Sequence, residues 1–223
     1  MSSTVSPRKY AKWVQGWVLP PARLLAKGLF WLFGPVQVVN RQRIPKSGGL
    51  LILSNHLSDV DPILVQFGCP RPIHFMGKSE LFSMPIVGPM IRLFQAFPIK
   101  RGEPDRQAMR YAAELLKIGE VVCIFPEGQL SESGKLQTLK SGVEWIARRA
   151  NVPVICVGLI NSNRILPYGS FRPRRSRQTV YVKWGEATPI DKPLTMDWAR
   201  DQLIDLTAEI TASSQSRTTE SSR

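Results

Sequence analysis

Two histidines serve this chain of 223 residues, and one of them stands where chemistry is easy to build. In the stretch LLILSNHLSDVDP, Leu50 to Pro62, an apolar run ends in Ser54, Asn55 and His56, and Asp59 and Asp61 follow before Pro62. A carboxylate that accepts the imidazole Nδ1–H fixes the tautomer and leaves Nε2 free as a base. It also stabilises the imidazolium formed when that base takes a proton. A tight loop can bring Asp61 to His56, and Asp59 can do the same from another turn geometry. Each residue also has an ordinary reading. Asp61-Pro62 reads as a helix start, with Asp61 as N-cap and Pro62 at the first helical position. A strand-end histidine on its own reads as an exposed, hydrogen-bonded loop residue that carries little packing. No nucleophile accompanies the pair: the chain has no G-x-S-x-G elbow, and nothing marks Ser54 or Ser58 as activated. A base without its own nucleophile points to a hydroxyl on the substrate.

Two further clusters carry charge to comparable positions. In VVCIFPEGQLSESGKLQTLKSG, Val121 to Gly142, a strand runs into a turn at Pro126, Glu127 and Gly128, on the edge expected for His56. Taken alone, Glu127 also fits a plain turn carboxylate. In FPIKRGEPDR, Phe97 to Arg106, Lys100 and Arg101 precede a helix start. The arginine fork matches phosphate oxygens, although a solvated charge pair is the ordinary state of such a run.

These residues need a scaffold, and the hydrophobic pattern predicts one. Apolar runs predict strands at Leu50–Leu53, Ile73–Met76, Val121–Phe125, Val154–Leu159 and Thr179–Trp184. Between them lie helical patterns at roughly Pro62–Phe67, Glu80–Phe94, Asp105–Ile118, Leu139–Ala150 and Met196–Ile210. In RQAMRYAAELLKIG, Met109, Ala112, Ala113 and Leu116 form one apolar face, closed by Gly119. The alternation predicts an α/β domain with a largely parallel or mixed sheet flanked by helices, whose ligands bind at the carboxyl ends of the strands. The polar ends, 1–8 and 212–223, are expected to be disordered. The chain then divides into an N-terminal segment 1–39, a catalytic domain 40–211 and a tail 212–223.

Lys plus Arg number 30 against 17 for Asp plus Glu, a formal charge of +13 that favours nucleic acid, an acidic membrane surface or phosphorylated molecules as partners. Cys69, Cys123 and Cys156 form no CxxC pair and read as reduced core thiols, and no zinc-ligand spacing is present. The polar, basic start MSSTVSPRKYAKW is not expected to act as a signal peptide. From Trp13 to Val39 the chain is rich in Trp, Leu, Val and Phe, but its longest uncharged run, GLFWLFGPVQVVN, is too short to cross roughly 30 Å of hydrocarbon. Either an interfacial helical pair rests on a membrane, with Trp13, Trp17 and Trp31 beside Lys12, Arg23 and Lys27, or the segment packs on the core.

NHLSDVD resembles the N-H-x4-D motif of the 1-acyl-sn-glycerol-3-phosphate acyltransferase family of glycerolipid acyltransferases. FPIKRG, FPEG and VPVICVGL, the last containing Pro153, resemble its second, third and fourth blocks, in the family's order and at its approximate spacing. The similarity extends over roughly 30–210 through MGKSELFSMPIVGPMIRLFQAFPIKR and VYVKWGEATPI. It implies that His56 is the general base and Asp61 orients it, and that an acceptor hydroxyl attacks an acyl thioester with no acyl-enzyme. By the same resemblance Arg101 binds the acceptor phosphate, and Glu127 and Gly128 position the acceptor. Lys100 and Lys140 are assigned to substrate binding as well, while Asn55, Pro126 and Pro153 are motif residues of acyl or structural role. The implied acceptor is lysophosphatidic acid, giving phosphatidic acid, with acyl-CoA or acyl carrier protein as donor and no cofactor. The protein is expected on a membrane with anionic lipids, at its cytoplasmic face, without nucleic acid. Two positions depart from the pattern: Gln129-Leu130 follows Gly128 where the family usually has Thr-Arg, and Gln95 stands where the second block opens with glycine. Lys135, Lys140 or the cluster Arg164, Arg172, Arg174, Arg175 and Arg177 is the expected compensation. Alternatives are another lysophospholipid acceptor, a basic nucleic-acid-binding protein, and a lipid binder without catalysis.

Overall fold

Runs of Leu, Ile and Val with no polar interruption build the middle of a seven-stranded sheet, described here with its surroundings in a computed structural model that covers residues 12–100, 105–170, 172–189 and 194–220. The strands are β1 Val36–Val39, β2 Leu50–Ser54, β3 Ile73–Lys78, β4 Phe97–Ile99, β5 Val121–Ile124, β6 Val154–Ile160 and β7 Val180–Thr188. Their order is β1-β7-β6-β2-β5-β3-β4. Every residue of β2 and β5 is buried, as strands covered on both faces require. The pairs β2/β5, β2/β6, β3/β5 and β3/β4 are parallel, with Leu53 opposite Ile124 and opposite Cys156. Only β6/β7 is antiparallel among the described pairs, so the sheet is mixed. The carboxyl ends of β2, β3, β4, β5 and β6 therefore share one edge, and β7 and β1 begin there.

Successive strand residues point to opposite faces and feed two cores. On one face lie α1 (Leu19–Phe33, entered through a π-helical turn Val14–Val18) and α2 (Asp61–Gly68). There Ala26, Phe30, Leu64 and Val65 pack against Ile52, Ile73, Val157 and Trp184. After a 3₁₀ turn, Ser79–Ser83, comes the short α3 (Val87–Leu93). The opposite face carries α4 (Arg106–Lys117), α5 (Gly142–Ala150) and α7 (Met196–Glu220). Here Ala112, Leu116, Ile146 and Leu203 cover Leu51, Leu53, Val122 and Cys156. A single turn, α6 (Ser162–Ile165), follows β6.

The expected strands and helices all form, with instructive differences. The helix predicted over Glu80–Phe94 is split, because Pro85 removes an amide donor and restricts Met84 to extended backbone. The helix predicted from Leu139 begins at Gly142, since Lys140 N is committed to the Pro126 carbonyl at 2.9 Å. The C-terminal segment expected to be disordered from 212 continues α7 through Glu220; it contains no Pro or Gly to stop it. β1, drawn from the segment assigned to the N-terminal unit, pairs with β7 and belongs to the sheet.

Gln95 explains one departure from the family pattern. Its φ is +63°, in the left-handed region that glycine enters freely, and both atoms of its buried side-chain amide lack a hydrogen-bond partner. The left-handed backbone costs a non-glycine residue about 1–2 kcal/mol and the orphaned amide about 1–3 kcal/mol. Against these stand glycine's greater unfolded-state entropy and the lost side-chain packing, about 1–2 kcal/mol together. Gln95→Gly is therefore expected to raise Tm by about 2–4 °C, roughly 1 kcal/mol for a chain of this size, in thermal unfolding followed by circular dichroism. A lowered midpoint would mean that the Gln95 side chain contributes more by packing than it costs.

Candidate active site

β2 delivers His56, and side chains take over where its ladder stops. Asn55 donates to the Leu159 carbonyl (2.9 Å) and accepts from the Leu159 N–H (2.7 Å), adding one side-chain rung between β2 and β6. The chain is then free to turn, and the loop after β5 grips the backbone of His56 from both sides. Its N–H donates to Glu127 Oε1 at 2.7 Å, and its carbonyl accepts from Ser131 N at 2.8 Å. The imidazole stacks on Phe125 with centroids 4.0 Å apart and planes 18° from parallel. His56 is thus 7% exposed, not the loosely packed surface residue expected of a strand end.

Asp61 decides the tautomer. Its Oδ2 accepts from His56 Nδ1 (2.9 Å), Leu57 N (2.6 Å) and Ser58 N (2.8 Å). A carboxylate oxygen so surrounded can only accept, so Nδ1 carries the proton. Among the described residues no hydrogen-bond partner takes Nε2, and it is not among the buried unpartnered atoms. Asp61 is not the helix cap that Asp61-Pro62 suggested. Val60 holds that position, Asp61 is the first residue of α2, and its carboxylate points back into the loop rather than onto helix amides. Asp59 is exposed and takes no part. Ser54 Oγ donates to the Asn55 carbonyl and Ser58 Oγ to that of Leu166, and both serines are fully buried. Neither is a nucleophile in waiting.

Glu127 is more than a turn residue. Its second oxygen accepts from Gln137 N at 2.9 Å, so one buried carboxylate ties the His56 loop to the segment after β5. Burial pushes its pKa up, while the two backbone N–H bonds, from Gln137 and His56, pull the other way. Gly128 follows with φ +71°, the left-handed region that favours glycine; a Cβ there would fall 2.6 Å from Lys140 Nζ, the end of a flexible side chain that can move aside. The exposed Lys140 side chain lies over this turn. The carbonyl of Pro126 holds Lys140 N, and the carbonyl of Pro153 receives Leu51 N at 3.0 Å; both prolines serve the frame. Lys100 is exposed at the carboxyl end of β4, its N–H held by the α4 cap Asp105 at 3.0 Å. Arg101 lies outside the described residues. Arg164, Arg172, Arg174, Arg175 and Arg177 are exposed beyond β6, where the Ser176 and Arg174 amides anchor their loop to Phe33 and Ile165.

His56, Asp61 and Glu127 are thus brought together, with Asn55, Pro126, Gly128, Lys140 and Pro153 framing them. Sequence patterning missed Phe125 as the ring's platform and Ser131 and Gln137 as clamps. All three act on His56 or Glu127 across a turn or a long sequence separation, where periodicity is silent. Among the described residues no group of three His, Cys, Asp or Glu side chains could hold a metal. The three thiols are unpaired and buried, and burial raises Cys69 to about 11 and Cys156 to about 12. They are inert core groups.

His56, Asp61 and Glu127 fall within a span that is similar to known proteins. A family model described as Acyltransferase matches residues 35–160, the span from the entry of β1 to the end of β6. The chain is 34% identical over 130 residues to a 1-acyl-sn-glycerol-3-phosphate acyltransferase of Bacillus subtilis, covering 58% of this chain and 64% of that protein. It is 30% identical over 152 residues to the chloroplastic acyltransferase LPAT1 of Arabidopsis thaliana, covering 67% of this chain and 42% of that one. The matches thus span roughly two fifths to two thirds of these relatives. In three dimensions it is similar to the 1-acyl-sn-glycerophosphate (LPA) acyltransferase PlsC of Thermotoga maritima, with a TM-score of 0.73 and 25% identity, over 92% of this chain and 82% of that one.

Proposed function

Because the chain belongs to the acyltransferase family, we propose that it transfers a fatty acyl group from an acyl thioester to the free hydroxyl of lysophosphatidic acid, forming phosphatidic acid. The observation that carries this reading is a histidine fixed at Nδ1 by a fully buried aspartate, with Nε2 unpartnered and no nucleophile beside it among the described residues. In the proposed reaction the acceptor hydroxyl gives its proton to His56 Nε2 as its oxygen attacks the thioester carbonyl. The tetrahedral intermediate collapses with cleavage of the C–S bond, and the departing sulfur takes the proton from the imidazolium. An ester and a free thiol result, and His56 returns to its starting state. A thioester is already activated, so alignment of the two substrates supplies much of the acceleration, and a placed base adds about 10²–10⁴-fold. The Asp61 charge stabilises the imidazolium throughout.

The acceptor phosphate is assigned to Arg101, assisted by Lys100, exposed at the carboxyl end of β4, and by Lys140, which lies over the turn that follows β5. Glu127 shapes this region by holding the His56 loop. Acyl-CoA or acyl carrier protein supplies the acyl group, and the enzyme works without a cofactor.

The acceptor is a membrane lipid, and α1 offers a way to meet it. Its inner side buries Leu19, Ala26 and Phe30, while Leu24, Leu25 and Trp31 are 73%, 66% and 84% exposed. No described helix is long and apolar enough to cross a membrane. We assign this outer face, with Trp13 and Trp17, to the interfacial region of an anionic membrane at its cytoplasmic side. Arg23 links the anchor to the site's frame, donating to the Cys69 carbonyl just beyond α2, as Phe30 packs edge-on against Phe67 at 5.1 Å.

The test is transfer from labelled acyl-CoA to a panel of lysolipids by the purified protein. Lysophosphatidic acid is expected to be the preferred acceptor, and absence of transfer to it would end this reading. Within the same assay, Arg101→Ala is expected to lower kcat/KM for lysophosphatidic acid by about 10–100-fold, the worth of a charge-assisted bidentate contact. The loss on a neutral acceptor should be far smaller. Arg101→Lys should recover only part, since it keeps the charge and loses the fork. Equal losses on charged and neutral acceptors would remove Arg101 from the phosphate site.

A further inference from the structure

The segment between β3 and β4 exposes more apolar surface than packing explains. Leu81, Met84 and Met90 are 36%, 42% and 47% exposed, and Ile86, at the tip of the Met84-Pro85-Ile86 corner, is 82% exposed. The arrangement is enforced from inside. Gly88 of α3 lies so close to the 3₁₀ turn that a Cβ would come within 2.5 Å of the Phe82 carbonyl oxygen. The two short helices thus form one knuckle, and the apolar residues around this contact point outward. Phe82 anchors the knuckle, its ring standing 3.1 Å from where a Gly77 Cβ would be.

Gly77 alternates with Phe75, which belongs to the core under α1 and α2, so the knuckle sits on the same face of the sheet as those helices. Ala96, on its far side, packs into that core too. His56 opens on this face as well: its ring stacks on Phe125, and Phe125 stacks on Phe75 at 6.5 Å and 15°. The site therefore shares one face of the sheet with α1 and the knuckle. Basic groups accompany the apolar tip, with exposed Arg92 held over the Phe82 ring at 5.3 Å and exposed Lys100 at the end of β4.

We propose that the knuckle at 79–93 is a second membrane-contact surface, which inserts Ile86, Met84 and Met90 among the headgroups of an anionic leaflet and holds the His56 edge against the lipid. The assignment rests on the lipid-acyltransferase reading and deepens it. A face of the sheet shared with α1 and complementarity between Arg92, Lys100 and anionic headgroups select a bilayer over a protein partner. Two separated contacts on one face fix the orientation of the enzyme on the membrane, whereas a single helix leaves it free to rock.

The native thiols are all buried, so a cysteine placed at the tip can be labelled selectively. Ile86→Cys carrying an environment-sensitive fluorophore should shift to the blue on vesicles of phosphatidylglycerol and phosphatidylcholine. The same label on Arg148→Cys, exposed on the opposite layer, should not. The pair Ile86→Glu and Met90→Glu should lower vesicle partitioning and the initial rate on vesicle-borne lysophosphatidic acid by about tenfold or more, leaving the rate on a short-chain, water-soluble acceptor unchanged. An unshifted label at 86, an equal shift at 148, or undiminished partitioning of the double variant overturns the proposal. So does a lipid-free shift that grows with protein concentration, which would place a second copy of the chain on the knuckle. Inactivity of the wild-type protein on every acceptor, with the label at 86 still shifting, would sink the enzymatic reading and leave the membrane contact standing.

Discussion

His56→Ala is expected to abolish measurable acyl transfer, a loss of about 10³-fold or more in kcat, because no other described group can take the hydroxyl proton. Asp61 faces Nδ1 rather than the open edge, Glu127 has both oxygens occupied by backbone amides, and Ser54 and Ser58 donate to carbonyls. The ring also packs, stacked on Phe125 and almost wholly covered, so the alanine variant should lose about 1–3 kcal/mol of stability as well. His56→Gln separates the two effects. Glutamine fills more of the space and leaves the backbone bonds to Glu127 and Ser131 in place, yet it has no basic nitrogen. Both variants should be equally inactive while glutamine unfolds nearer the wild-type urea midpoint. A folded His56→Gln protein transferring acyl groups at a near-wild-type rate would remove His56 from the role of base.

The parts of the fold written locally were legible in advance. α4 carries a capping Asp105 whose carboxylate accepts from Ala108 N, an apolar stripe of Ala112, Ala113 and Leu116, and a positive-φ Gly119 at its end. Each signal lies within a few residues of the next. The uniform apolar runs of β2, β5 and β6 were equally plain, because burial on both faces leaves no room for polar residues. β1 and β4 lacked any comparable signal. They are edge strands of four and three residues, partly exposed, and β4 contains Pro98, which only an edge tolerates. Their existence depends on β7 and β3 offering free edges, which is tertiary information.

The site divides along the same line. His56 beside Asp61 was visible because only four residues separate them. What Asp61 does was not, since an N-cap and an orienting carboxylate share the same Asp-Pro spelling and differ only in which amides the loop presents. Glu127 reaches His56 across 71 positions, and that pairing exists only because β2 and β5 are neighbours in the sheet. The departure at Gln95 was visible as a letter, while its φ of +63° supplies the reason glycine suits the position.

Asp61 carries the second large effect, and its variants distinguish positioning from scaffolding. Three N–H groups converge on one oxygen, two of them from the loop backbone, while the other oxygen has no partner. In Asp61→Asn the amide oxygen can still receive Leu57 N and Ser58 N, with the new NH2 in the place of the unpartnered oxygen. The loop should hold, but the charge that stabilises the imidazolium is gone, and kcat is expected to fall by about 10²–10⁴-fold. Because the loss arises as charge develops on the ring, KM for both substrates should stay within about twofold. Asp61→Ala removes the acceptor altogether and leaves buried backbone amides unpaired, so about 3–5 kcal/mol of stability should go with the activity. Steady-state kinetics and urea unfolding of the two variants give the answer together. If activity instead tracked stability through both, with Asp61→Asn nearly as active as it is stable, Asp61 would be a loop tie and the base would owe its competence to Phe125 and the Glu127 clamp alone.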